Sequence, residues 1–175
     1  MAIAVPTVTA VSMEAPDFTE LVETHQEMVF SIAYHFLHER AVAEEIAQDV
    51  FVQLYSDLKK LDSPEHVVFW LRRTTVNRCI DLVRRMRRRP EIGIESLDHV
   101  AAPAVESDEW RNQRIRRLVS SLPEEARMIV ILRYQEGLEP REIAALMKMS
   151  VNTVKSRLQR SLKLLREKAG VERGV

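Results

Sequence analysis

Apolar residues recur at helical spacing through most of this chain. Over residues 18–37, Leu21, Val22, Met28, Val29, Ile32, Ala33 and Phe36 gather on one side of a helix. A second helix is expected over about 42–58, where Ile46, Val50, Phe51 and Leu54 are spaced 4, 1 and 3 apart. The segment 59–65 breaks the pattern, and Asp62-Ser63-Pro64 predicts a turn leading into a third helix. That helix runs over about 66–88 and is stopped by Pro90.

The stretch 91–108 is acidic, holds Gly93 and Pro103, and has no helical period, so it is expected to be a linker. A helix follows from near Glu109 to about Ser121. Pro123, Glu124 and Glu125 open the next, because proline suits a first turn and acids suit a helix N-terminus. Gly137 closes it, Pro140 opens another, and Ser150 caps the last. In that last helix Val151, Val154, Leu158, Leu162 and Leu165, spaced 3, 4, 4 and 3 apart, form a buried stripe. The expected fold is all-α: two small helical domains, 17–89 and 111–170, joined by a flexible acidic linker, 90–110. A disordered tail, 1–16, and a short tail, 171–175, complete the chain.

Charge changes this picture more than composition does. The net charge is zero, but its distribution is blocked. Residues 17–71 hold 11 acids and 3 bases, and residues 72–89 hold 8 bases and 1 acid. Residues 90–110 hold 6 acids and no base, and residues 111–170 hold 14 bases and 6 acids. Such blocks imply separate surfaces with separate partners. The two basic surfaces suit phosphate, where counterion release drives binding, and the acidic block suits a protein.

One cysteine excludes an internal disulfide and fits a reducing cytoplasm. No apolar run is long enough to span a membrane, and the N-terminal stretch lacks the basic start of a signal peptide. Cys79 is expected to be packed, with no His or Asp at catalytic or metal spacing. His35 and His38 are expected to be surface or cap residues. No Walker motif, glycine-rich phosphate loop or carboxylate pair is present, so neither an enzyme nor a metal or cofactor is expected.

The polar positions of the last helix carry the chemistry. Asn152, Thr153, Lys155, Ser156, Arg157, Gln159 and Arg160 fall off its apolar stripe. A helix surface of these types reads base edges and grips phosphates in a major groove. With the helix and turn before it, 142–158 has the form of a helix-turn-helix.

The chain resembles the bacterial sigma-70 family, in its extracytoplasmic-function (ECF) group. The first domain is similar to sigma region two through Ala43-Glu44-Glu45-Ile46-Ala47-Gln48-Asp49-Val50-Phe51, Phe69-Trp70-Leu71, Asn77, Asp81 and the arginine run. The second is similar to region four through Ser121-Leu122-Pro123-Glu124-Glu125-Ala126-Arg127, Glu142-Ile143-Ala144 and residues 150–158.

The resemblance implies a factor that binds core RNA polymerase, directs it to promoter DNA and helps open the duplex. It implies that Glu44, Glu45, Gln48 and Asp49 dock on polymerase. It implies that the third helix faces the −10 element, with Asn77 touching a flipped base and Arg72, Arg73, Arg78, Arg84, Arg85, Arg87 and Arg88 holding phosphates. Trp70 is either core or a stacking platform. The last helix would enter the −35 major groove, with Asn152, Thr153 and Ser156 toward bases and Lys155, Arg157 and Arg160 toward phosphates. Arg157 could instead pair with Glu142. Lys148 stands where the family often has glycine, and Glu139 where Ser or Thr is common; both put the pose of the recognition helix in question.

An anti-sigma partner, a cytoplasmic location and no membrane insertion follow from the same resemblance. The free protein is expected to fold its domains together and hide both DNA surfaces. A stand-alone helix-turn-helix regulator is the alternative, but the first half lacks a sensor or receiver pattern. An adaptor that binds polymerase without reading DNA is disfavoured by the arginine-rich third helix.

Overall fold

The structure is a computed structural model that describes residues 18–88 and 108–171. The helices are α1 (Phe18–Leu37), α2 (Arg40–Asp57), α3 (Pro64–Arg88), α4 (Asp108–Ser120), α5 (Glu124–Tyr134), α6 (Pro140–Met147) and α7 (Val151–Val171). A single 3₁₀ turn, Leu58–Lys60, ends α2. No strand occurs among the described residues. The N-terminal tail, the linker as far as residue 107 and the C-terminal tail from residue 172 lie outside them.

Three boundaries differ from expectation. α2 starts at Arg40, immediately after a sharp reversal at His38, whose φ of 57° lies in the left-handed region. Its N–H donates to the Tyr34 carbonyl at 2.8 Å and so caps α1. α3 starts at Pro64, because Ser63 Oγ accepts the His66 N–H at 3.1 Å and proline fits the first turn. α4 starts at Asp108, inside the stretch expected to be linker.

α1, α2 and α3 bury Val29, Ile32, Phe36, Val50, Leu54, Leu71, Val76 and Cys79 in one core. Each large aliphatic side chain there contributes about 1.5–3 kcal/mol by leaving water. Thr75 is buried with them, its hydroxyl donating to the Leu71 carbonyl at 2.7 Å. Burial pushes the Cys79 thiol up to about 12, as expected of a packed, inert cysteine. Trp70 is half-buried against this core.

The second domain is organised around α5, α6 and α7. Its turn absorbs both departures from the family pattern. Lys148 takes the left-handed conformation itself (φ 52°), and its N–H bonds the Ala144 carbonyl. Glu142 accepts the Glu139 N–H at 2.7 Å, so the α6 N-terminus is capped from its third position. Ser150 Oγ accepts the Thr153 N–H at 3.0 Å, as expected of the α7 cap.

Every residue of α5 from Arg127 to Leu132 is buried. A helix that is buried all round must have neighbours on all sides. Here α1 and α3 pack on α5 from the first domain, and α4, α6 and α7 from the second. Ser31 of α1 donates to Glu136 at 2.8 Å across the same junction. The apolar core is therefore continuous across the two domains.

Candidate nucleic-acid interface

On α7, Asn152, Lys155, Gln159 and Arg160 are exposed, while Val154 and Leu158 anchor the helix beneath them. Lys155 and Arg160 form no ion pair among the described residues, so both charges are available to an anion. Thr153 and Ser156 are half-buried and engaged locally. Thr153 Oγ1 lies 2.8 Å from Ser150 Oγ, and Ser156 Oγ donates to the Thr153 carbonyl at 3.1 Å. Arg157 is half-buried and ion-paired, but with Glu125 of α5 and not with Glu142. The Glu142 carboxylate is occupied by the Glu139 N–H.

On α3, Asn77 is exposed on a concave face of about 710 Å³ that also holds Asp81 and Arg85. The opposite wall is α2, with Glu45, Asp49 and Gln53. Arg78 crosses this face, donating Nη1 to Asp49 at 2.7 Å and Nη2 to Gln53 at 3.0 Å. Arg78 and Asp49, expected to serve different partners, are thus brought together.

The remaining arginines divide. Arg72 is half-buried, its Nε unpartnered, and its charge adds to burial in lowering the His25 pKa. Arg73 lies 6.0 Å from the Phe69 ring centroid. Arg88 Nε donates to the Arg84 carbonyl at 3.2 Å. Arg84 pairs with Glu125 at 2.8 Å, and Arg87 with Glu124 at 3.0 Å, both across the domain junction.

On α2, Glu44, Glu45, Gln48 and Asp49 are all exposed. They form two rows four residues apart. Glu45 and Asp49 face the α3 cleft, whereas Glu44 and Gln48 edge a groove on the α1 side. That groove, of about 950 Å³, is floored by Phe18, Val22, Phe30 and Phe51. Val52 and Tyr55 on its wall are 69% and 70% exposed. Sequence reasoning missed the groove. Its signal is that Val52 and Tyr55, three residues apart, are apolar yet fall off the buried stripe of α2.

The expectation that domain packing hides both DNA surfaces needs correction. The domains do pack together, yet Asn77, Asn152, Lys155 and Arg160 remain exposed. What the junction occupies is Arg84 and Arg87, held by acids of α5, while Arg157 is held by Glu125 within the second domain.

Residues 21–89 match the family described as Sigma-70 region 2, and residues 112–165 match Sigma-70, region 4. The chain is 30% identical over 158 residues to the ECF RNA polymerase sigma-E factor of Escherichia coli, covering 82% of each chain. It belongs to the ECF sigma factors. It is also 32% identical over 158 residues to the ECF RNA polymerase sigma factor SigE of Mycolicibacterium smegmatis, covering 87% of this chain but 61% of that one. Its fold matches that of the sigma factor RpoE of Bartonella quintana, solved in complex with the anti-sigma factor NepR. The TM-score is 0.71 at 21% identity, over 89% of this chain and 98% of that one. Sigma factors are DNA-binding regulators and not enzymes. No helix of this ECF sigma factor, among the described residues, is long and apolar enough to cross a membrane.

Proposed function

We propose that this chain is an alternative sigma factor that binds core RNA polymerase, recognises −35 and −10 promoter elements and promotes melting. One observation carries this: a single chain presents an exposed acidic row on α2 and an exposed Asn152, Lys155 and Arg160 on the second helix of a helix-turn-helix. A carboxylate row repels DNA, so α2 serves a protein partner with basic character. Glu44, Glu45, Gln48 and Asp49 are its contacts on polymerase.

α7 enters the −35 major groove, with Asn152 best placed to reach base edges and Lys155 and Arg160 to reach phosphates. Thr153 and Ser156 support it at the groove floor, and Arg157 grips the backbone once released from Glu125. On α3, Asn77 meets a base flipped from the −10 strand. Flipping costs a few kcal/mol of stacking, which an amide that both donates and accepts helps to offset. Arg72, Arg73, Arg78, Arg84, Arg85, Arg87 and Arg88 supply cationic backbone contacts along that helix. The factor acts in the cytoplasm and is restrained there by an anti-sigma protein.

The test is pull-down with core RNA polymerase, comparing the native chain with a Glu45→Arg, Asp49→Arg double reversal, followed by run-off transcription. Capture of the native chain and loss of the reversal support the assignment. Failure of the native chain to bind core, or transcription that does not depend on core, rejects it in favour of a stand-alone regulator.

A further inference from the structure

Asp49, Gln53 and Asp57 recur at every fourth residue of α2 and so share one face of that helix. Asp49 and Gln53 line the α3 cleft, where the Arg78 guanidinium reaches both. Asp49 Oδ2 accepts from Nη1 at 2.7 Å, and Gln53 Oε1 accepts from Nη2 at 3.0 Å. The Arg78 Nε–H is buried without a partner. Among the described residues, the guanidinium is therefore held by its two terminal nitrogens.

Gln53 is itself held. The Lys60 hydrogen bond, and to a smaller extent one from Gln53, keep the Asp57 carboxyl below its usual range. Lys60 Nζ donates to that carboxylate at 2.5 Å. The Gln53 amide thus gives a hydrogen to Asp57 and its oxygen to Arg78, which only a group that both donates and accepts can do. A glutamate here would face Asp57 and place a second carboxylate on Arg78.

A guanidinium carries five N–H groups in a rigid plane. Asp49 and Gln53 take one from each terminal nitrogen, and one on each is left over. The Arg78 side chain stays 34% exposed, and its neighbour Asn77 lines the same cleft. A base seated at Asn77 brings its own phosphate to that rim. A loose arginine loses rotamer freedom when it grips a phosphate, which weakens the grip, whereas an anchored one has lost it on folding.

We propose that Gln53 is a positioning residue for reading the −10 strand. With Asp49 it holds Arg78 across the cleft beside Asn77, with the remaining N–H groups set to meet a backbone phosphate. Being neutral, Gln53 anchors the cation without cancelling more of its charge. Asp49 meets Arg78 through Oδ2, and Oδ1 is left to polymerase. The phosphate contact rests on the −10 reading proposed above, whereas the anchoring does not.

The test has two arms. In the free full-length chain, nitrogen-15 NMR of the arginine side chains separates the two Nη signals of a held guanidinium and merges those of a freely rotating one. Arg78, assigned through Arg78→Lys, is expected to show separate signals in the native chain, merged ones in Gln53→Met, and separate ones in Gln53→Glu, which keeps the acceptor. In the second arm, holoenzyme built from core polymerase and the full chain is titrated with a forked template, duplex at the −35 element and single-stranded at the −10 element of a mapped promoter. Gln53→Met is expected to weaken binding by about two- to fivefold, to leave capture by core unaltered, and to have no effect once Arg78→Ala is present. Arg78→Ala is expected to reduce the slope of log K against log salt by about 0.7, and Gln53→Met to keep the native slope.

Equal Nη behaviour in the native chain and Gln53→Met overturns the anchoring. A loss of template binding that persists beside Arg78→Ala, or a fall in capture by core, overturns the positioning role, because Gln53 then acts on stability or on polymerase. A native chain that forms no holoenzyme, or yields no promoter, rejects the −10 reading and with it the phosphate contact, and the NMR arm still judges the anchor.

Discussion

Arg127 of α5 lies over the ring of Phe36 of α1, 5.2 Å from its centroid, and donates Nη1 to the Phe36 carbonyl at 3.3 Å. Its Nη2 donates to the carbonyl of Ser120, the last residue of α4, at 2.6 Å. Both acceptors sit at helix C-termini, where carbonyls lack intrahelical partners and the helix dipole is negative. One guanidinium therefore caps two helices from two domains. Burial lowers its pKa, the charge of Arg87 adding to the effect and Glu124 opposing it.

Arg127→Ala removes the cap and leaves both carbonyls under-satisfied inside the junction. Each lost bond to a charged donor costs about 1.5–3 kcal/mol. A loss of about 3 kcal/mol in unfolding free energy is expected from denaturant titration. Arg127→Lys recovers only part of it, because an ammonium is a point charge and not a planar fork. A loss under about 0.5 kcal/mol would mean that the carbonyls find other partners.

Arg127 also marks the limit of what the sequence discloses. The stripes of α1, α2 and α7 are legible because each residue's neighbours lie one turn away, and the Ser150 cap is legible for the same local reason. The interdomain bonds join residues far apart in sequence: Ser31 with Glu136, Arg127 with Phe36, Arg84 with Glu125. No period encodes such pairs. A weaker signal does exist, since Arg127 precedes five consecutive apolar residues, Met128 to Leu132, on a helix too apolar for any one-sided burial. On the candidate surfaces, the residues of α7 and α2 were legible as polar positions off a stripe. The division of the arginines into free and engaged ones was not, because it depends on where α5 sits.

His38 is the second consequence of the junction. Both its ring nitrogens are buried without a partner. Its pKa falls from 6.5 to about 4, mainly through burial, with Arg127, Arg116 and His35 all adding positive charge nearby. In the unfolded chain it protonates near 6.5, so the unfolded state binds the extra proton first. The stability contributed by a neutral His38 is complete above pH 6.5 and is lost as pH falls toward about 4. Allowing for solvent at a partly exposed ring, the loss is on the order of 1–2 kcal/mol. His38→Asn tolerates the left-handed backbone and is expected to flatten this part of the stability profile, measured by urea titration at intervals from pH 7 to pH 4. An unchanged slope assigns the acid sensitivity elsewhere.

Lys148 gives a prediction of opposite sign. Its φ of 52° places a β-carbon in a conformation that costs an L-residue about 1–2 kcal/mol. Lys148→Gly relieves that strain but loses more chain entropy on folding, about 0.5–1 kcal/mol. A net gain of about 0.5–1 kcal/mol is expected, since glycine is the residue most suited to this helix end. It should register as a rise in melting temperature with the α7 contacts unaltered. A fall would show that the Lys148 side chain contributes more than its backbone costs.

Asn152 and Lys155 separate the two kinds of contact expected from α7. Both are exposed, three residues apart on one helix, but an amide can read a base edge whereas an ammonium meets phosphate alone. Once a promoter has been mapped with core polymerase, Asn152→Ala is expected to cost about 1–3 kcal/mol of discrimination at one −35 position and to leave the salt dependence of binding unaltered. Lys155→Ala is expected to weaken binding to every −35 sequence by a similar factor, and to reduce the slope of log K against log salt by about 1. Arg160→Ala should resemble Lys155→Ala, because it too carries no ion pair to be broken first among the described residues. Arg157→Ala should differ from both. Its guanidinium must leave Glu125 before it meets a phosphate, so its deletion removes a contact that was already partly offset. The expected loss in affinity is smaller than for Lys155, and it should grow when Glu125 is changed to Gln in the same chain. Equal losses for Lys155 and Arg157, insensitive to Glu125, would show that Glu125 does not compete with DNA for Arg157.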